Sequence, residues 1–381
     1  MENLDLGYNS WMELFLFFLL LAGLTLILGH FIATVLKGEK IPLMSRIERE
    51  IYFLSRIEFS KEMAWKEYTF CLLLFNGLGI MAVLVLQILQ HHLPLNPQHL
   101  PRVPILLALN TAVSFATNTN WQAYSGESTL SYLVQMLGLT VQNFLSAATG
   151  IAVMSALARG IFRRKARALG NFWVDVVRVT LYLLLPLSFI LAILLVSQGV
   201  VQNFSHYVSA KTIEGLNQLL PMGPAASQIA IKELGTNGGG FFGVNSAHPF
   251  ENPTPLSNFL ETLAILLIPS ACAYAFGLMA GSRRHGISLL VTMFAVFIIC
   301  LTIALTSELR PDPALGGLPF LEGKETRFGI MPSTLWAMVT TSASNGSVNS
   351  MHSSLSPLAG GMAMFNICLL YTSPSPRDRT R

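Results

Sequence analysis

The strongest constraint in this chain is a series of long apolar stretches without charge. Leu14–Leu36 runs for 23 residues with His30 as its one titratable group, and Tyr68–Gln90 runs for another 23 with no charge. A bilayer core of about 30 Å needs roughly 20 apolar residues in a helix, so each can span. Ser128–Ala158, Val179–Gln198, Pro255–Ala280 and Ile287–Ser307 read the same way, with Glu261 the one acid among them, and a seventh run opens at Leu355. Only 12% of the 381 residues are charged and mean hydropathy is +0.55. Soluble domains carry about 25% charged residues, so an ordinary soluble enzyme is excluded, and so is a disordered chain. The fold class expected is an all-α integral membrane protein.

The loops set its orientation. After the first run come Lys37, Lys40, Arg46, Arg49, Arg56, Lys61 and Lys66. After the third come Arg159, Arg163, Arg164, Lys165 and Arg167, and after the fifth Arg283 and Arg284. These fourteen face six in the opposite loops: Arg102, Lys211, Lys232, Arg310, Lys324 and Arg327. Basic loops stay cytoplasmic, which puts the N-terminus outside. Met1–Trp11 has no basic residue and does not read as a cleaved signal. Loop 37–66 alternates charge with Ile, Leu and Phe, which suits either an interfacial amphipathic helix or a solvated loop.

On the outer side, three segments too short to cross each end in a polar loop. Ile105–Phe115 leads to Thr117-Asn118-Thr119-Asn120, with Gln122 just beyond. Pro224–Ile231 leads to Thr236-Asn237-Gly238-Gly239, and Pro332–Thr341 leads to Ser344-Asn345-Gly346-Ser347. Aligned on Thr117, Thr236 and Ser344, the loops recur at spacings of 119 and 108 residues. That is an internal repeat of span, short helix, polar loop and span. One Asn-Gly is an ordinary turn; three at matching places point to a pore. Gly and Asn turn carbonyls inward at positive φ, and Thr and Ser add hydroxyl oxygens. Non-helical backbone at membrane depth must line a cavity. Carbonyl coordination without a carboxylate suits K+. No acid lies in the three loops, although Glu233 stands just ahead of one.

Other signals are weaker. Gly238–Gly243 matches GxGxxG with Glu261 18 residues on, but a membrane span follows and no βαβ unit surrounds it. No Walker A sequence or phosphorylated-aspartate loop is present, so the chain is expected not to hydrolyse ATP. Cys71, Cys272, Cys300 and Cys368 form no CxxC pair, and His91, His92, His248 and His352 lack metal spacing. Gln135, Gln142 and Asn143 suit either helix–helix adhesion or pore lining. Gln122 suits the outer vestibule or a plain loop. Glu261 is expected near the interface, paired with a neighbour, and Asn245–Asn258 is expected to be a rigid brace for the second loop.

Three strings carry a family resemblance: Thr117–Glu127, Gly235–Phe242 with Ser246–Thr254, and Thr341–Asn349. They resemble the A-subunit family of Kdp-type potassium-transporting ATPases, over residues 1 to about 367. The resemblance implies four span–pore–span units around a pseudo-fourfold filter, with one extra N-terminal span. It implies high-affinity K+ uptake at the bacterial inner membrane, with K+ as the bound and transported ion and no covalent cofactor. The partners implied are a P-type ATPase catalytic subunit, two small membrane subunits and the lipid bilayer, with no nucleic acid. Thr117–Asn120, Gln122, Thr236–Gly239 and Ser344–Ser347 would form the filter. A stand-alone K+ channel or a gradient-driven transporter of the same superfamily is the alternative. The expected units are 1–66, an extra span and cytoplasmic loop; 67–171, the first repeat; 172–285, the second; and 286–367, an incomplete third. Residues 368–381 resemble a translated sequencing adaptor, a reading that leaves the fourth unit outside the chain.

Overall fold

The computed structural model describes residues 8–38, 45–163, 168–310 and 321–371. Lys40, Arg164, Lys165 and Arg167 lie outside the described residues, as do residues 372–381, most of the adaptor-like segment. Six of the described helices are long and apolar enough to cross a membrane.

The first is α1, Tyr8–Lys37. The amphipathic helix α2, Ser45–Leu54, follows it within the segment 37–66. Then come α3, Trp65–Leu89, the short α4, Ile105–Ala116, and the single turn α5, Gly126–Thr129. The third span starts as a π-helical stretch, Val134–Thr140, and continues as α6, Val141–Phe162. The expected run from Ser128 is therefore shortened, because Leu130 takes an extended conformation at the end of α5.

The fourth span comprises α7, Phe172–Arg178, a π-helical stretch Val179–Leu184, and α8, Leu185–Ser197. It starts seven residues before the expected Val179 because Asn171 caps it, accepting from the Trp173 and Val174 amides at 3.1 and 3.4 Å. Pro186 can donate no backbone hydrogen bond, and the wider π turns end where it enters. A small hairpin of β1, Val208–Lys211, and β2, Asn217–Leu220, adds a minor antiparallel element to the helical fold. Gly215 turns it at φ 81°.

After it come the short α9, Ala225–Leu234, and the spans α10, Pro255–Met279, and α11, Arg283–Glu308. Thr254 and Ser257 close a capping box at the start of α10. The short α12, Ile330–Ala343, and then α13, Pro357–Tyr371, complete the described chain. At about 1.5 Å per residue, the 12, 10 and 14 residues of α4, α9 and α12 cannot cross a 30 Å core.

Two large apolar cores hold these elements. One gathers α6 to α10 around Phe172, Leu184, Ile229 and Ala271. The other joins α1, α10, α11 and α12 around Phe17, Phe297 and Trp336. Helix α1 lies close on α10 because position 29 has no side chain: a Cβ on Gly29 would stand 2.8 Å from the Ala271 carbonyl oxygen.

On the side of the basic loops, Arg159 grips Asp175 with both guanidinium nitrogens, at 2.6 and 2.8 Å. It also donates to the Leu36 and Leu169 carbonyls, tying α1 to the fourth span. Two basic residues assigned to the opposite loops are not solvated there. Lys232 sits inside α9 with no exposed area, and Lys324 is buried against Glu308 at 2.7 Å. A buried ammonium needs an anionic partner, and both have one.

Candidate cation site

The three short helices end alike. The Ser114 carbonyl at the end of α4 accepts from Thr119 N at 3.0 Å and Asn120 N at 3.1 Å. The Lys232 carbonyl of α9 accepts from Asn237 N at 2.9 Å and Gly238 N at 3.3 Å. The Thr340 carbonyl of α12 accepts from Asn345 N at 3.0 Å, and the Thr340 hydroxyl accepts from Gly346 N at 2.9 Å. Each helix thus closes on a wide turn that lifts the next residues out of helical geometry.

Each loop then holds a left-handed doublet, two positive-φ residues separated by one. The angles are 61° and 53° at Asn118 and Asn120, 51° and 81° at Thr236 and Gly238, and 54° and 95° at Ser344 and Gly346. L-residues avoid this region, and Gly and Asn tolerate it best. Four of the six positions are Gly or Asn; Thr236 and Ser344 are not, and bulkier residues held there are strained. This pattern corrects the register of the repeat. Asn118, not Thr117, matches Thr236 and Ser344, so the spacings are 118 and 108. Thr117 instead ends α4, with its hydroxyl bonded to the Val113 carbonyl at 2.9 Å.

The loops meet one another. Asn118 donates to the Gly235 and Thr236 carbonyls at 3.3 Å each. Asn237 donates to the Asn118 side chain and, at 3.1 Å, to Ser146 of α6. Asn345 donates to the Lys232 carbonyl at 3.3 Å. Gly238 lies so close to the third loop that a Cβ would stand 1.9 Å from the Asn345 carbonyl oxygen. Gly239 packs on Asn120, where a Cβ would approach to 3.0 Å. Asn120, Asn237, Asn345 and Ser347 are all buried. The loop amides therefore stitch neighbouring loops together, and the backbone carries the repeated geometry.

Gln122 pairs reciprocally with Gly240: its amide nitrogen donates to the Gly240 carbonyl at 3.2 Å and its oxygen accepts the Gly240 N–H at 2.9 Å. The intramembrane amides act as adhesion behind the loops. Gln135 bonds Phe241 O and accepts from Gln228, Asn143 accepts from Asn120 at 2.7 Å, and Gln142 lies against Gly79 of α3. The Asn245–Asn258 stretch does brace the second loop. Asn245 donates to the Gly238 carbonyl at 2.8 Å, and Asn258 accepts from Asn252 and Asn349. His248 stacks on Phe242 with centroids 4.1 Å apart.

Glu261 is fully buried in α10, within electrostatic reach of Lys232, Glu233 and Glu251. The Lys232-centred cluster is not evident from the sequence, in which Lys232 reads as a loop charge. Its signal was a Lys-Glu pair at the end of an otherwise apolar, buried helix. A cavity of about 220 Å³ opens beneath Asn118 and Thr236, against Met154, Ile268 and Cys272. A larger one of about 790 Å³ lies away from the loops, among Ile51, Phe75 and Trp173. Among the described residues, no group of three or more His, Cys, Asp and Glu side chains is arranged to hold a metal ion.

Fold and loops define a helical membrane protein with six helices able to span and three short helices that each end in a polar loop. Residues 15–374 match the family model of the potassium-transporting ATPase A subunit, and the chain belongs to that family. It is 54% identical over 365 residues to the potassium-transporting ATPase potassium-binding subunit of Pseudomonas syringae pv. tomato, covering 92% of this chain and 65% of that one. The Pseudomonas entomophila protein of the same name is 56% identical over 350 residues, covering 90% and 62%. That of Herpetosiphon aurantiacus is 53% identical over 376 residues, covering 92% and 65%. The chain thus spans a little under two-thirds of the length of these relatives.

Proposed function

We propose that this chain is the potassium-binding and translocating, channel-like part of an ATP-driven K+ uptake complex in the bacterial inner membrane. The observation that carries the reading is the left-handed doublet repeated in all three loops. Alternating φ signs turn successive carbonyls to one side, and buried amides hold that backbone from behind. A dehydrated K+ needs oxygens held at fixed places rather than a single strong charge. The ion would meet backbone carbonyls within Asn118–Asn120, Thr236–Gly239 and Ser344–Ser347 other than those of Thr236, Gly238 and Ser347, which accept from Asn118, Asn245 and Trp336, with the Thr236 and Ser344 hydroxyls beside them. Gln122 and Thr117 support this backbone.

The relatives are named subunits of a potassium-transporting ATPase, which supports assembly with a P-type ATPase subunit and two small membrane subunits. In this reading ATP is hydrolysed in the ATPase subunit, not in this chain. The basic loops favour an outside N-terminus. The repeat boundaries, 67–171, 172–285 and 286–367, each enclose one short helix and its loop.

The test is cation-dependent thermal stability of the detergent-purified chain at constant ionic strength. K+ is expected to raise the melting temperature well above the value in Na+ or choline. Equal melting temperatures in all three would overturn the reading.

A further inference from the structure

We propose that Lys232, with Glu233 and Glu251, is the positioning group that gives the loops their discrimination among monovalent cations. This rests on the reading of the loops as a cation site. Lys232 holds the second loop from both sides. Its carbonyl receives the amides of Asn237 and Gly238 and the side chain of Asn345, so one oxygen anchors two loops. Its ammonium reaches Glu233 at 2.9 Å, Asn245 at 2.9 Å, Ser246 at 2.8 Å, and Glu251.

Those partners return to the loops. Asn245 donates to the Gly238 carbonyl at 2.8 Å, Glu251 accepts the Phe242 amide at 3.3 Å, and Glu233 accepts the Ser347 hydroxyl at 2.9 Å. The path from the Lys232 carbonyl to its own ammonium therefore encloses Asn237, Gly238 and Asn245. Moving Gly238 requires breaking a contact at one end or the other.

Stability alone does not account for the cluster. Desolvating an ammonium and carboxylates is costly, and well-packed apolar residues of similar volume often serve stability as well or better. What apolar residues cannot supply is direction: acceptors and donors that fix one carbonyl geometry out of several. Ions differing little in radius are told apart by such geometry. The three Nζ protons face four oxygens; Lys232, Glu233, Ser246 and Glu251 are buried and Asn245 is partly so.

The experiment compares the detergent-purified chain with Lys232→Met/Glu251→Leu, which replaces the ion pair by apolar volume, and with Glu251→Gln, which keeps the volume and one acceptor oxygen for the Lys232 ammonium. Melting temperatures are recorded without added cation and across titrations of K+, Rb+ and Na+. The double variant leaves buried Glu233 without its ammonium partner, so it is expected to melt several degrees below the parent without K+, and the cation preference is the deciding readout. Its apparent K+ affinity should fall by about tenfold, and its preference for K+ over Rb+ and Na+ should shrink by a similar factor. Glu251→Gln should keep that preference within about twofold. If the double variant does not fold, Ser347→Ala, which removes only the hydroxyl contact to Glu233, carries the test and should lower the preference. A folded double variant, or Ser347→Ala in its place, with parental preference overturns the inference alone. A parent chain with no preference among the three cations overturns both the inference and the functional reading beneath it.

Discussion

Ser347 donates its hydroxyl proton to Glu233 at 2.9 Å across 114 residues of chain. Both side chains are buried, and the bond ties the third loop to the last turn of α9. Local sequence around either residue cannot specify it. Such a bond exists only once the second and third units pack against each other.

Gly238→Ala and Gly346→Ala separate conformational cost from steric cost. Both residues have positive φ, which disfavours any L-residue by about 1–2 kcal/mol. A Cβ at 346 meets nothing within 4 Å, whereas one at 238 overlaps the Asn345 carbonyl oxygen. Gly346→Ala is expected to weaken apparent K+ affinity by about tenfold. Gly238→Ala should do more and lower the melting temperature as well. Cation titration of both purified variants checks the order; a milder Gly238→Ala would contradict the loop packing.

Asp175→Asn tests the buried pair at the other end of the spans. Asp175 receives both guanidinium nitrogens of Arg159 and the Tyr68 hydroxyl at 3.0 Å. Removing one partner of a buried pair strands the other charge, at a cost of about 3–5 kcal/mol. Denaturant unfolding in detergent should show a loss of that size. A loss under about 1 kcal/mol, the range of exposed pairs, would mean that water reaches Arg159.

Acidification should loosen the brace behind the second loop through His248. Burial pushes its pKa below the ordinary histidine value, Glu251 pulls it back in part, and Arg327 lowers it. A depressed folded pKa gives stability that is complete above the unfolded value, about 6.5, and is lost as pH falls through the folded value. Protonation would also remove the Nδ1 acceptor used by the Phe250 amide at 3.1 Å. The melting temperature should fall between pH 7 and pH 5, and His248→Phe should flatten that part of the profile. An equally steep profile in the variant would assign the loss to another group.

Orientation can be read by labelling intact cells with a membrane-impermeant maleimide in a cysteine-free background. A cysteine at exposed Lys211 should react, and one at exposed Arg284 should react only after permeabilisation. The reverse result would place the loops on the cytoplasmic side. Lys324 is unsuitable for this purpose, being buried against Glu308.

The spans, the three short helices and the polar loops were legible in the sequence because each reports a local balance. An apolar run of 20 residues must satisfy its own backbone in lipid, so length and hydropathy alone identify α1, α3, α10 and α11. Asn and Gly gather where the chain turns left-handed, so the loops at 118, 236 and 344 stood out. Tertiary structure decided the rest. Thr117 resembles Thr236 in sequence, yet its hydroxyl bonds the preceding helical turn and leaves Asn118 in the equivalent place. Lys232 reads as one more outer basic residue until Glu251, 19 positions on, folds back onto it. Sequence thus determined which segments enter the membrane and where they turn, since those choices depend on neighbours along the chain. Which oxygens face one another depended on contacts between units more than 100 residues apart, and which charges lie buried behind them on a fold-back of 19 residues within one unit. Only the packed fold supplies the desolvation that makes those contacts strong.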